Sequence, residues 1–331
     1  MTDAAIAKST TKGGGVKLAI VYVTCLFFIW ALVTNLLDPL LKTMKTVFTL
    51  TPVEASLTGF AFFIAYGIMS LPSAAFLSKL GYARSVMVGL GGIVAGCFIA
   101  IAAAKLHTFG VFLVGLFVMA SGVTLLQVAA NPLIASMGKP EESSFRLNLS
   151  QAFNSLGAAC GLWFGANFLL KGEIFEKDVV ITGAMREQAL GFVSNVYLAI
   201  GLGLTLFILL IFLVRQKITD AAPKTGQLVN PFTALTSKWA NLGAIGIFLY
   251  VGAEVSIGSI IINYLAEDRV LGQPESVIGW MVSLYWGGAM IGNALRSRGL
   301  GTFAAEYPGY GLAEGAPTEA SIVEAAEAAL R

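Results

Sequence analysis

The chain has 331 residues, 56% of them hydrophobic and only 12% charged, with 21 Lys and Arg against 19 Asp and Glu. A soluble domain carries roughly 25% charged residues, so a water-facing surface cannot be built here without wide apolar patches, and a soluble enzyme is excluded. The mean hydropathy of +0.79 and the scattered basic residues point instead to an all-α polytopic membrane protein with no nucleic-acid footprint.

Residues 1–16 read as a polar N-terminal tail. A helix needs about 20 apolar residues to cross the hydrocarbon core. Eight such runs follow, at roughly 18–40, 53–78, 85–104, 109–137, 146–170, 190–214, 239–265 and 277–294. Their length and lack of period-2 alternation exclude barrel strands. The first run is too long for a cleavable signal and lacks a small-residue cleavage site. Cys25, Cys97 and Cys160 all fall inside apolar runs with no CxxC pair, so neither a disulfide framework nor a metal site is suggested. His107 reads as a loop residue between the third and fourth spans. No nucleophile elbow or phosphate-binding loop occurs, so no enzyme can be assembled.

Lys and Arg in short loops set orientation. With the N-terminus inside, the cytoplasmic loops hold Lys8, Lys12, Lys17, Lys79, Arg84, Lys139, Arg146, Arg215, Lys217, Lys224 and Lys238. The outer loops hold only Lys42, Lys45, Lys105, Lys171, Lys177, Arg186 and Arg269, so a cytoplasmic N-terminus is expected. The longest polar connection, 215–238, follows the sixth span. Six helices, a basic linker and further helices is the layout of a transporter made of two six-helix halves.

Polar side chains within spans are costly and mark cavities. The first span ends Thr34-Asn35-Leu36-Leu37-Asp38-Pro39, with Asn35 and Asp38 on one face. Asp38 fits two readings, a cavity carboxylate or the point where the helix meets water with Lys42 one turn on. The fourth span carries Gln127-Val128-Ala129-Ala130-Asn131-Pro132, a polar interruption at the matching place of a second three-helix repeat. Span five adds Gln151 and Asn154 on one face, and span seven adds Glu254 inside an apolar run. Amides both donate and accept, which suits a ligand rich in hydroxyls. Trp30, Phe153, Trp163, Tyr285 and Trp286 flank these positions and fit ring stacking, core packing or an interfacial belt. Gly157, Gly161 and Gly165, like Gly92 and Gly96, repeat every four residues and predict close helix contact.

Five stretches carry a family likeness: FFIWALVTNLLDPL (27–40), GLFVMASGVTLLQVAANP (115–132), FRLNLSQAFNSLGA (145–158), FLYVGAEVSIGS (248–259) and VSLYWGGAMIG (282–292). They resemble the sugar:cation symporters of the major facilitator superfamily, in the branch of the fucose permeases and bacterial glucose/galactose transporters. The resemblance implies a six-helix half at 17–214, a cytoplasmic linker at 215–238 and two helices of a second half at 239–292. It also implies a hexose substrate, co-transported H+ or Na+ in place of any cofactor, and, for the full-length form, a monomer in the bilayer of a bacterial inner membrane. It gives Asp38 a proton-linked role, with Glu254 as a second candidate, and makes Asn35, Gln151 and Asn154 sugar-contacting amides. Gln127 stands where the fucose permeases have a second carboxylate. Asn131, from the polar interruption itself, joins the substrate-binding candidates. After Gly292 the likeness stops, and the polar tail 293–331 resembles an α/β-hydrolase fragment. The expectation is a truncated member of the fold that accumulates no sugar by itself; a sugar receptor without flux is the alternative.

Overall fold

The computed structural model describes residues 13–48, 50–165, 167, 182–223 and 231–266, with residues 270, 272, 277–278, 287–288, 291–292 and 295 beyond them. Seven α-helices occupy these ranges: α1 (Gly13–Val47), α2 (Pro52–Leu80), α3 (Tyr82–Leu106), α4 (Phe109–Ser136), α5 (Ser143–Phe164), α6 (Gly183–Ala221) and α7 (Lys238–Ala266). A six-residue 3-10 helix, Pro231–Thr236, precedes α7 and is called the linker helix below. Among the described residues there is no strand. Most of the eighth predicted span, together with the 1–12 segment and the tail from 296 onward, lies outside the described residues.

The helices outrun their apolar cores. The first span, expected to end near residue 40, continues through Asp38 and Pro39 to Val47. The sixth, expected at 190–214, covers 39 residues. At 1.5 Å per residue it is about 58 Å long, well beyond a hydrocarbon core of about 30 Å. Apolar windows report the stretch immersed in hydrocarbon, while backbone hydrogen bonding favours continuing the helix into the headgroups. By length and composition α1, α2, α3, α4 and α6 can each cross a membrane. Helix α5 falls short of that mark because Asn148, Ser150, Gln151, Asn154 and Ser155 dilute it.

Local chemistry sets the helix ends. Thr51 and Glu54 close a reciprocal capping box at the start of α2, with Thr51 N–H donating to Glu54 Oε2 at 2.8 Å and Glu54 N–H to Thr51 Oγ1 at 3.3 Å. Gly81 alone joins α2 to α3, at a φ of 75° that favours glycine. His107 ends α3 in the left-handed region, and its Nε2 lies 2.8 Å from Glu187 Oε1 in the first turns of α6. Thus His107 does lie between α3 and α4, and it also ties α3 to α6.

Packing follows a two-fold exchange. Helix α3 lies against α4 and α6, α1 against α5 and α6, and α2 against α4. Exchanging α1 with α4, α2 with α5 and α3 with α6 turns the α1–α5 pair into α4–α2, and α3–α4 into α6–α1. The α3–α6 pair maps onto itself. This is the contact pattern of two related three-helix repeats. The core between them holds Leu26, Phe27, Leu90, Ile93, Phe112, Leu116, Met119, Leu126, Leu133 and Tyr197, all fully buried. Leu202, Leu206, Leu209 and Leu213 are exposed on α6, as a lipid-facing surface requires.

Small residues let the backbones touch, as their spacing predicts. A Cβ on Gly122 of α4 would lie 2.5 Å from the Gly89 carbonyl and 2.7 Å from Ile93 N of α3. A Cβ on Gly157 of α5 would collide with the Phe28 carbonyl of α1. Without hydrophobic drive between helices in lipid, van der Waals contact at such seams carries the association.

Candidate functional site

The predicted amides converge on two seams. On the first, α1 and α5 run parallel in register. Thr24 Oγ1 and Ser150 Oγ are 3.2 Å apart. One turn along, Asn154 donates its side-chain N–H to the Phe27 carbonyl at 3.3 Å. Further on, a Cβ at Gly161 would come within 2.8 Å of the Leu32 carbonyl and 3.1 Å of Asn35 Cβ. Asn35 is half-buried and donates to the Ala31 carbonyl of its own helix at 2.9 Å. Each of the two amides spends one N–H on a backbone carbonyl and retains its side-chain oxygen and second N–H. Gln151, also half-buried, sits three residues before Asn154 on the same face of α5.

The second seam lies between α4 and α2. Gln127 is half-buried on α4 and faces Tyr66 of α2 across this seam. One turn on, the side-chain oxygen of Asn131 is buried and has no hydrogen-bond partner. A buried acceptor left unpaired costs about 1–3 kcal/mol, so this oxygen is poised to receive a donor. Pro132 follows within the helix, which continues to Ser136.

The structure therefore sets Gln151 and Asn154 of α5 near the level of Phe27 on α1, Asn35 about two turns further along the same seam beside Gly161, and Gln127 one turn from Asn131 on α4. Asp38 lies one turn beyond Asn35 on the α1 backbone, and Glu254 lies within α7. The side chains of Asp38 and Glu254 lie outside the described residues. Of the aromatic candidates, Trp30 is buried with its ring 4.3 Å from that of Phe27, which is core packing. Phe153 and Trp163 are exposed; Tyr285 and Trp286 lie outside the described residues.

Two residues escape a reading by spans and motifs. Tyr66 sits within an apolar span, and its only signal is a polar tip on an otherwise lipid-compatible side chain. Arg146 counts by sequence as a loop charge, yet it is 4% exposed, the one charged side chain buried among the described residues. Its Nε donates to the Ile134 carbonyl at 3.1 Å, and its two terminal nitrogens donate to Ala135 at 2.8 Å and Lys139 at 3.0 Å. Glu142 lies 3.8 Å away. Arg146 thus caps the open end of α4 and fixes the turn into α5. It faces carbonyls rather than a cavity.

The chain is similar to known proteins over most of its length. The chain is 36% identical to the glucose/galactose transporter of Brucella abortus over 296 residues, 89% of this chain and 70% of that protein. It is 36% identical to a putative glucose/galactose transporter of Helicobacter pylori, over 85% of this chain and 67% of that one. It is 32% identical to the L-fucose-proton symporter of Escherichia coli over 73% of this chain and 58% of the symporter. The crystal structure of a single-substitution variant of the E. coli fucose:proton symporter superimposes with a TM-score of 0.69 at 27% identity, covering 86% of this chain and 72% of that one. Residues 23–302 match the Major Facilitator Superfamily as a whole. With its apolar helices and paired three-helix repeats, this multi-pass membrane protein, a transporter and not an enzyme, belongs to the major facilitator superfamily.

Proposed function

We propose that the chain serves cation-coupled transport of a hexose of the glucose/galactose type, by alternating access in the inner membrane of a bacterium. The observation that carries this reading is the 36% identity to a glucose/galactose transporter across 89% of the chain, joined to a site furnished with amides. Asn35, Gln127, Asn131, Gln151 and Asn154 would answer sugar hydroxyls, each of which donates and accepts. Gln127 cannot ionise, so the proton-coupling role falls to Asp38, with Glu254 as the second carboxylate. A carboxyl on the helix that carries Asn35 could trade its proton as the site opens to either side. The excess of Lys and Arg in the α2–α3 and α4–α5 turns and the linker supports a cytoplasmic N-terminus. A monomer is proposed for the full-length form, which would carry both halves in one chain.

Coupled accumulation is proposed to need two complete halves, so the 331-residue chain expressed alone is expected to accumulate no sugar. The test is uptake and counterflow in proteoliposomes, comparing this chain with a version completed by the remaining helices of a relative. In the completed form, Asp38→Asn is expected to abolish pH-driven accumulation while sugar exchange persists. Undiminished accumulation would remove the proton role from Asp38 and turn attention to Glu254 or to sodium. Binding without counterflow in the completed wild type would make the protein a receptor.

A further inference from the structure

Helices α2 and α4 each carry a buried side-chain oxygen that no protein group satisfies: Ser73 Oγ on α2 and Asn131 Oδ1 on α4. Ser73 is fully buried. Other serines of these two helices behave differently. Ser70, Ser78, Ser121 and Ser136 each donate the hydroxyl to a carbonyl about one turn back in their own helix, at 2.7 to 3.2 Å. That back-bond is the ordinary use of a serine inside a helix, and Ser73 does not make it. Its O–H is a buried donor left for something outside α2.

The register of the two helices sets these oxygens on one seam. Among the described residues α4 is the main neighbour of α2, ahead of α3, the linker helix and α1. Helix α2 turns into α3 at Gly81, and α3 runs against α4, with Gly89 beside Gly122 and Gly96 beside Gly115. Helices α2 and α4 therefore run the same way. Tyr66 of α2 faces Gln127 of α4. Ser73 stands seven residues past Tyr66 and Asn131 four past Gln127, so each shares the helix face of that pairing. At about 1.5 Å per residue, their depths along the seam differ by about 4–5 Å. Oxygens at that spacing are too far apart for a direct bond and suited to one water between them. Pro132 has no N–H, so the Val128 carbonyl one turn back loses its helical donor and is a second acceptor beside Asn131.

We propose that Ser73 is a positioning residue, which fixes the amide of Asn131 through one buried water. The Ser73 O–H donates to the water, and the water donates to Asn131 Oδ1 and to the Val128 carbonyl. Those are about three hydrogen bonds, the usual number for a buried water. Asn131 as a residue is half-buried, and only the oxygen of its amide is both buried and unpaired. With that oxygen held toward α2, the amide presents its N–H2 to the open side, as a donor for a sugar oxygen. A free amide can turn over and offer either end. The bridge removes that choice, so less freedom is lost when the ligand binds. The ligand side of this proposal rests on the reading of Asn131 as a sugar-binding residue; the bridge itself does not.

The test uses the full chain in lipid nanodiscs with two independent readouts. Without sugar, X-ray radiolysis converts a bound water to hydroxyl radical in place, so oxidation of Val128 reports the bridge. That labelling is expected to fall about twofold in Ser73→Ala and to recover in Ser73→Thr. It should not change in Ser70→Ala, whose hydroxyl is bonded within its own helix. With sugar, calorimetric titration of D-glucose and D-galactose should show binding weakened about fivefold in Ser73→Ala and restored in Ser73→Thr. The double variant Ser73→Ala, Asn131→Ala should bind no more weakly than Asn131→Ala alone, because Ser73 acts only through that amide. Additive losses would overturn the positioning role, and Val128 labelling indifferent to Ser73 would overturn the bridge. A melting temperature raised by sodium but not by potassium, with the rise lost in Ser73→Ala, would overturn it as well by putting a cation in place of the water. If the wild type binds neither hexose, the sugar reading fails by itself, and the labelling still decides the bridge. Should Ser73→Ala not fold, Ser73→Cys keeps the shape with a weaker donor and carries both readouts.

Discussion

Asn154 of α5 donates its amide N–H across to the backbone carbonyl of Phe27 on α1, at 3.3 Å. The same side chain is thus a helix-to-helix tie and a candidate ligand group, and the two roles can be separated. Asn154→Ala removes both and is expected to weaken hexose binding about tenfold, the worth of one lost buried hydrogen bond of about 1–3 kcal/mol. Asn154→Asp keeps the size and an acceptor but loses the donor to Phe27. Isothermal titration and thermal unfolding in detergent, run side by side, check the division. A lower melting temperature at unchanged affinity for Asn154→Ala would assign the residue to packing alone.

Gly122→Ala should be severely destabilising, because the added methyl meets backbone atoms of Gly89 and Ile93 that no rotamer change can move. Overpacking of this kind costs about 1–3 kcal/mol or more. Gly91→Ala on α3 has nothing within 4 Å of the new Cβ and should be neutral or stabilising by up to about 1 kcal/mol through helix propensity. Melting temperatures of the two variants in the same detergent give the contrast. Equal behaviour would mean that α3 and α4 do not approach as described.

Arg146→Ala should lower stability by about 2–3 kcal/mol, since it abandons carbonyls of Ile134, Ala135 and Lys139. Arg146→Lys should recover only part of that, because an ammonium lacks the planar fork that reaches several acceptors at once. Limited proteolysis in the 137–142 turn should rise in the order wild type, Lys, Ala. Full rescue by lysine would show that charge, rather than the fork, holds the turn.

The capping box predicts an acid dependence. Hydrogen bonds from the Thr51 backbone N–H, and then from its side chain, hold the Glu54 carboxyl below its usual range. A lowered carboxyl contributes stability that is complete above the unfolded value, about 4.3, and is lost as pH falls through the folded value. Hydrogen exchange in the first turn of α2 should therefore accelerate only in that acidic window. Glu54→Gln, which can still close a capping box, should abolish the pH dependence while leaving the turn protected at neutral pH.

Much of this architecture is legible from residue patterns, and the rest is hidden for physical reasons. Hydropathy locates the helices but not their ends, because Asp38, Pro39 and the polar turns beyond Val214 do not interrupt a helix whose backbone stays bonded. The glycine spacing announces the α1–α5 and α3–α4 seams, since backbone contact demands absent side chains wherever it occurs. The amides at 35, 127, 131, 151 and 154 are visible as polar residues in apolar runs. What they touch is not. The Phe27 carbonyl that Asn154 meets is a partner supplied by a tertiary neighbour, and it leaves no trace at fixed spacing. Arg146 is hidden for the opposite reason: a charge beside a loop reads as solvated, and only the three-dimensional end of α4 shows that it is buried.

The pairing of α1 with α5 has a consequence for how the protein is made. Thr24 and Ser150, which meet across that seam, are 126 residues apart in the chain. At about 5–20 residues per second, α1 leaves the ribosome about 6–25 s before its partner exists. During that interval Asn35 and the bare backbone opposite Gly157 have no protein surface to cover them. The first helix must then be retained by the insertion machinery or by a membrane chaperone until α5 arrives, and the order of synthesis, rather than the final contacts, sets when this bundle is most vulnerable to quality control.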